Sequence, residues 1–422
     1  MSLHSGSVRS EEVEGDRFCA GRATALALRK GNGMKRILAI LALGAALIPV
    51  CAHAQQIAPM EAGTPFSISS PSVILTDALT GRTIFEKNAH ERRPVASVTK
   101  VMTILLTLEA IDEGRVALDD AVTVSAYASS MGGSQVFLDA HKRYPLRDLL
   151  KSVIVASAND AAVALAEHMD GTHEAFVRRM NERAAQLRLD NTHYVNCTGL
   201  PAQGHYTTAH DVARLSAQLD QHPLYYTFST IWMDEITHPG GRKTQLTNTN
   251  RLVRFYPGCD GYKTGSTNEA RYCISATAEK NGLRLIAVVL GADAGQTRFD
   301  EARSMLEYGF SAYQRFSPVK EGDALGMQVP VRLGGSDMVG AVSGGTCDML
   351  IKKGTQSEIS LEVSLPRSVN APVRRGDILG EIRVMQAGKI VMRMPAVAGE
   401  TVELPGMVHA LVRIRDHFML TR

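Results

Sequence analysis

Strong charge of either sign is missing from this sequence: 46 Lys and Arg stand against 43 Asp and Glu, leaving a formal net charge of +3. That balance excludes a nucleic-acid binder driven by bulk charge and leaves small or local partners. A comfortable membrane span is missing too, since the apolar run over residues 37–50 is shorter than the roughly 20 residues a spanning helix needs. Cysteine is sparse, at six in 422 residues. No thiolate-activating motif surrounds any of them, so they read as structural and not catalytic. The strings that do carry chemistry need no metal and no cofactor.

The chain opens with an export pattern. Met34-Lys35-Arg36 is a basic start, the apolar run follows, and Ala52-His53-Ala54 gives a small-x-small cleavage pattern before Gln55. Residues 34–54 therefore read as a secretory signal peptide. Residues 1–33, polar and aperiodic, read as an upstream extension outside the fold. Loss of the signal removes Cys19 and Cys51 and leaves Cys197, Cys259, Cys273 and Cys347 in an oxidising compartment. Four cysteines allow three complete pairings. Cys259 and Cys273 flank one hairpin, but spacing does not choose among the pairings.

Residues 55–316 mix strand and helix patterns. Val73-Ile74-Leu75 and Thr83-Ile84-Phe85 form a hairpin around Thr80-Gly81. Residues 98–113 are apolar nearly all round and stop at Gly114, which predicts a buried helix with Ser97 at its start and Lys100 one turn in. Further helices are predicted over 146–156, 160–169 and 174–187, so Ser157 falls in a connection. The Lys263 segment, 273–278 and 283–290 read as three consecutive antiparallel strands, the last two joined through Asn281-Gly282. With the early hairpin they make a five-stranded antiparallel sheet, and a helix over 297–310 closes an α+β domain. Residues 317–403 change to short alternating strands, a second, all-β domain. Residues 404–422 return to helical spacing, with Met407, Leu411, Ile414 and Phe418 on one face, His409, Arg413 and Asp416 opposite, and Arg415, His417 and Arg422 adding positive charge. An amphipathic helix of that kind suits a membrane surface; the plainer alternative is a terminal helix docked on its own domain.

Three short strings carry the chemistry: Ser97-Val98-Thr99-Lys100, Ser157-Ala158-Asn159 and Lys263-Thr264-Gly265. A serine hydroxyl is a poor nucleophile at neutral pH and needs a base. Ser97 and Lys100, three apart at a helix start, emerge on one face, and burial or a second cation lowers the lysine pKa toward that task. The Ser97 N–H at the helix start is also placed to meet a developing oxyanion. Ser157 and Asn159 offer a proton relay and an orienting amide. Lys263 and Thr264 put a cation and a hydroxyl on a strand edge, where Gly265 lets a substrate backbone lie close. Each string has a plain structural alternative: Ser97 as a helix cap beside a solvated Lys100, Ser157-Ala158-Asn159 as a cap for the next helix, Lys263 as an exposed strand lysine. Ser317-Pro318-Val319-Lys320 and Ser368-Val369-Asn370 repeat the first two strings in the β domain. Order and setting, not the strings, are therefore the informative quantity.

As an ordered set, these motifs resemble the D-alanyl-D-alanine carboxypeptidases, the low-molecular-mass penicillin-binding proteins of the serine peptidase class. The resemblance runs over about residues 65–420 and includes Arg93-Pro94-Val95-Ala96 ahead of Ser97, Gly132-Gly133-Ser134, Asn196-Cys197-Thr198-Gly199-Leu200 and Asp260-Gly261-Tyr262 ahead of Lys263. It implies the penicillin-binding transpeptidase and β-lactamase-like fold. It also implies Ser97 as acyl-ester nucleophile, Lys100 as general base, Ser157 as proton shuttle and Lys263 as substrate-binding cation, with the N–H groups of Ser97 and Ser266 as oxyanion hole. Arg298 matches the arginine that holds the substrate's terminal carboxylate, with Thr264 and Thr267 nearby; a guanidinium suits that task by its fork geometry. Ala158 departs from the family, where glycine is frequent. The implied partners are a peptidoglycan stem peptide ending in D-Ala-D-Ala, β-lactam antibiotics and the membrane surface, with no nucleic acid and no cofactor, on the extracytoplasmic side of the cell membrane. Two other readings compete. A class A β-lactamase shares the three strings but needs a Glu-x-x-Leu-Asn loop, which is missing between Ser157 and Lys263. A wall-binding protein with a decayed site would lack some of the expected side chains, and all are present.

Overall fold

The computed structural model describes residues 66–406. The signal peptide expected at 34–54, the extension at 1–33 and residues 407–422 of the expected terminal helix lie outside the described residues. Five strands, β1 (Ser72–Asp77), β2 (Thr83–Lys87), β3 (Cys259–Thr267), β4 (Arg271–Lys280) and β5 (Leu283–Ala292), form one sheet in the order β2-β1-β5-β4-β3, antiparallel throughout. The sheet is covered on both faces, which is why β1 and β5 are buried along nearly their whole length. Strand alternation divides the two cores. Val73, Leu75, Ile274 and Leu285 pack under the last helix of the domain, with Phe299, Ala302, Met305 and Leu306. Ile74, Ile286, Val288 and Leu290 point the other way, into a helical layer.

That layer contains α1 (Lys100–Asp112), α2 (Leu146–Val155), α3 (Asn159–Asp170), α4 (His173–Gln186) and α5 (Ala209–Gln218); α6 (Gly295–Ala312) covers the opposite face. All five strands and the helices expected within residues 55–316 form. The start of α1 differs from expectation. Residues Ala96–Thr99 make a tighter 3-10 turn, and the α-helix begins only at Lys100. The cause is tertiary: Ala96 takes a φ of 49° with the turn wedged between two glycines. A Cβ at Gly199 would come within 1.9 Å of Ala96 O, and one at Gly265 within 2.5 Å of Val95 O.

The β domain engages the chain earlier than the change of texture at 317 indicates. Strand Tyr313–Phe316 already pairs antiparallel with Met349–Lys352, and a six-stranded sheet follows, with its longest strands at Ala324–Arg332, Ile378–Gln386 and Lys389–Ala398. Cys197, Cys259, Cys273 and Cys347 are all buried and unpaired. In the β3–β4 register Cys259 stands opposite Ala278 and Cys273 opposite Gly265, so the two hairpin cysteines never face each other. None of the three pairings forms; the thiols fill the core as small apolar groups. Among the described residues no helix is long and apolar enough to cross a membrane.

Candidate active site

The turn before α1, the connection between α2 and α3, the loop around Thr198 and strand β3 meet at one point, and Lys100 is its centre. The side chain of Lys100 is 0% exposed, and its Nζ donates to Ser97 Oγ at 2.9 Å, Asn159 Oδ1 at 2.5 Å and the Thr198 carbonyl at 2.7 Å. Three acceptors satisfy all three ammonium donors. Burial nonetheless dominates, lowering the Lys100 pKa to about 7 against the opposing pull of Cys197 and Asp160. At neutral pH a sizeable fraction of Lys100 is therefore a free amine in contact with a serine hydroxyl.

None of the plain alternatives describes these residues. Neither the 3-10 turn nor α1 carries a side-chain cap, so Ser97 is not capping. Ala158 occupies the N-cap of α3, also without a side-chain cap. Asn159 instead spends its amide on the site, with Oδ1 on Lys100 and Nδ2 donating to Gly132 O at 2.7 Å, while its backbone N–H donates to Ser134 O at 2.7 Å. Ser157 is 3% exposed and turns the chain with a φ of 63°, two residues ahead of that amide. Lys263 is buried at 1% exposure and donates to Thr264 O at 3.2 Å. Its pKa lies well below the lysine range because of burial, with the charges of Lys100 and Arg298 adding to the effect.

Gly265 makes a contact that its sequence setting does not reveal. The space its Cβ would take is filled by Val95 O at 2.5 Å, Ser97 N at 2.9 Å and Val98 N at 3.0 Å. The close approach it permits in the structure is that of the serine turn against β3. Thr264 is buried, Ser266 is exposed in register with Tyr272, and Thr267 Oγ1 accepts from Ala270 N at 3.0 Å to close the β3–β4 turn. Arg298, on the first turn of α6, is not a free helix arginine. Its Nη1 donates to Gly265 O at 2.9 Å and Cys273 O at 3.2 Å, which fixes the guanidinium to the end of β3.

Several supporting residues carry no role in the sequence reading. The Thr198 carbonyl is a backbone acceptor, which side-chain motifs do not reveal. Its loop is built by Asn196, whose Oδ1 accepts from Thr198 N, Thr198 Oγ1 and Gly199 N at 3.1, 3.0 and 2.7 Å. Asp160 is buried and accepts from the N–H groups of Val136 and Leu138, each at 3.1 Å, and so ties α3 to the Gly132–Leu138 stretch. His205 Nδ1 accepts from Val195 N at 3.1 Å, leaving Nε2–H to donate to Thr99 Oγ1 at 2.8 Å behind the serine turn. Burial lowers its pKa to about 4, so the ring is neutral.

Fold and cluster together define an active-serine protein with a buried lysine partner. Residues 58–294 match the family model described as D-alanyl-D-alanine carboxypeptidase, and residues 313–404 match that of the penicillin-binding protein 5 C-terminal domain. The chain is 35% identical over 381 residues to the D-alanyl-D-alanine carboxypeptidase DacF of Bacillus subtilis, covering 90% of this chain and 98% of that relative. It is 33% identical to DacC of Escherichia coli, covering 83% and 89%. Penicillin-binding protein 5 of Haemophilus influenzae superposes with a TM-score of 0.69 at 29% identity, over 81% of this chain and all of that one. The chain belongs to the D-alanyl-D-alanine carboxypeptidase family.

Proposed function

We propose that the chain is a serine-type D-Ala-D-Ala carboxypeptidase that removes the terminal D-alanine from peptidoglycan stem peptides and is acylated by penicillins. The observation that carries this is the 2.9 Å contact between Ser97 Oγ and the buried Nζ of Lys100. In the free-amine form Nζ takes the hydroxyl proton as Oγ attacks the carbonyl of the last peptide bond. The N–H groups of Ser97 and Ser266 receive the oxyanion. Ser157 passes the proton to the departing D-alanine nitrogen, the C–N bond breaks, and an ester on Ser97 remains. Water then cleaves the ester, releasing the shortened peptide and restoring Oγ–H. Asn159 holds Lys100 in line throughout.

Arg298, Lys263 and the hydroxyls of Thr264 and Thr267 receive the terminal carboxylate. Burial lowers the Lys263 pKa, and an arriving carboxylate supplies the counter-charge that favours its ammonium form. A β-lactamase reading is disfavoured, because the missing glutamate loop leaves no route to fast deacylation and the matched β domain has no place in it.

The test is intact-protein mass spectrometry after incubation with a penicillin. One covalent adduct is expected, absent in Ser97→Ala, together with D-alanine release from a D-Ala-D-Ala peptide; an adduct surviving that substitution would sink the nucleophile. The export pattern and the basic, amphipathic spacing of 404–422 support a peripheral position at the extracytoplasmic membrane face. Deleting residues 405–422 is expected to release the protein from membranes while activity on soluble peptide persists, and unchanged association would reject the anchor.

A further inference from the structure

Arg298 opens on one side onto a cavity of about 650 Å³, whose lining includes Trp232, Thr247, Thr249, Arg251 and Gln296. Such a volume is that of a ligand pocket, typically ~300–1,000 Å³. No Asp or Glu lines the cavity; the nearby Asp300 is engaged by Gln296 Nε2 at 2.9 Å.

The charge in the cavity is arginine. While Nη1 of Arg298 is committed to two carbonyls of the sheet, its Nε is buried without a hydrogen-bond partner. Arg251 is exposed to the cavity, and among the described residues its side chain makes no hydrogen bond or ion pair. Its backbone is nevertheless held firmly. Asn250 Oδ1 accepts from Leu252 N at 3.1 Å, Asn250 Nδ2 donates to Gly261 O at 3.0 Å, and Asn248 Oδ1 accepts from Asn250 N at 2.9 Å, all buried. Beside it, Trp232 stands edge-on to Phe255 at 5.7 Å between ring centroids and gives the pocket an aromatic wall.

We infer that this cavity also admits leaving residues larger than D-alanine, and that among these Arg251 favours a D-amino acid whose side chain ends in a second carboxylate. The inference rests on the carboxypeptidase reading: the first carboxylate, on the α-carbon, sits on Arg298, and the side chain extends toward Arg251. The chemistry is otherwise unchanged. The same amide C–N bond breaks, the acyl group forms the same ester on Ser97, and the larger amino acid leaves with the proton.

The experiment uses the full chain and three soluble acyl peptides ending in D-Ala-D-Ala, D-Ala-D-Glu and D-Ala-D-Gln. D-Glu and D-Gln match in size and differ in charge, so their kcat/KM ratio isolates the ionic contact. An exposed ion pair of up to ~1 kcal/mol gives a preference for D-Glu of about fivefold in the unmodified protein. Arg251→Ala is expected to reduce that ratio to about one, and Arg251→Lys to restore part of it. Penicillin adduct formation shows that each variant is folded with its serine site assembled. Equal rates for D-Glu and D-Gln, or a preference that survives Arg251→Ala, overturn the pocket assignment while D-Ala release leaves the carboxypeptidase reading standing. Absence of both adduct and release from every peptide overturns both.

Discussion

Adding one methyl group at Gly265 tests whether the nucleophile is positioned by strand β3. A Cβ built there lies 2.5 Å from Val95 O, 2.9 Å from Ser97 N and 3.0 Å from Val98 N, where ordinary contact begins at 3.4 Å. The shortfall is backbone against backbone on both sides, so no rotamer relieves it. In Gly265→Ala, strand and turn must separate by roughly 0.5–0.9 Å, a displacement set by the worst of those three contacts. A misplacement near 1 Å costs on the order of 100-fold in rate, equivalent to about 2.7 kcal/mol of barrier. Overpacking of this kind costs about 1–3 kcal/mol of stability, within the ~5–15 kcal/mol that holds a domain together. The variant should therefore fold and acylate about 100-fold more slowly. The assay is the second-order rate of labelling by a fluorescent penicillin, read beside a thermal melt. Gly340→Ala is the matched control, because a Cβ there meets nothing within 4 Å. Labelling of Gly265→Ala at the unmodified rate would refute the claim that this contact sets the serine.

Two further measurements follow from buried bases. Acylation requires Lys100 as free amine, so with a pKa of about 7 the rate is expected to fall as pH drops, by about tenfold from pH 8 to pH 6; a flat labelling profile over that range would remove Lys100 as the base. His205→Ala leaves Thr99 Oγ1 and Val195 N without their ring partner and is expected to cost about 2 kcal/mol at pH 7. The His205 pKa falls to about 4 on folding, so the unfolded chain binds the extra proton between that value and its ordinary ~6.5. Native stability therefore declines as pH falls through that window, and the penalty of the substitution should shrink with it; a penalty constant from pH 7 to pH 4 would contradict a neutral buried ring.

Much of this architecture is written in local patterns. The Asn281-Gly282 turn and the apolar runs around it specify β4 and β5, and a helix apolar on all sides could only be buried. The site was legible because a buried lysine three residues from a serine has few structural uses. The β-domain repeats of the motifs show the limit of that legibility. Ser317 Oγ hydrogen-bonds Asp348, Lys320 is exposed, and Val369–Asn370 is a short edge strand beside Ala324–Arg332. Only position in the fold separates them from Ser97 and Asn159. Other features left no local trace. The 3-10 turn at Ala96–Thr99 is imposed by Gly199 and Gly265, far along the chain. The Thr198 carbonyl is a main-chain group that any residue could present, and the purpose of Gly265 depends on what lies across from it.

The three acceptors around Lys100 Nζ come from one turn, one helix and one loop separated by about a hundred positions of chain. Ser97 and Lys100 remain neighbours in an unfolded polypeptide, but there the amine is fully hydrated and protonated at neutral pH and the serine is as inert as any other. Reactivity is thus conferred by closure of the tertiary structure, and a molecule that is not yet folded, or has opened locally around β3, carries no armed nucleophile. Penicillin labelling consequently counts native molecules: it is an internal gauge of folding as much as an assay of chemistry.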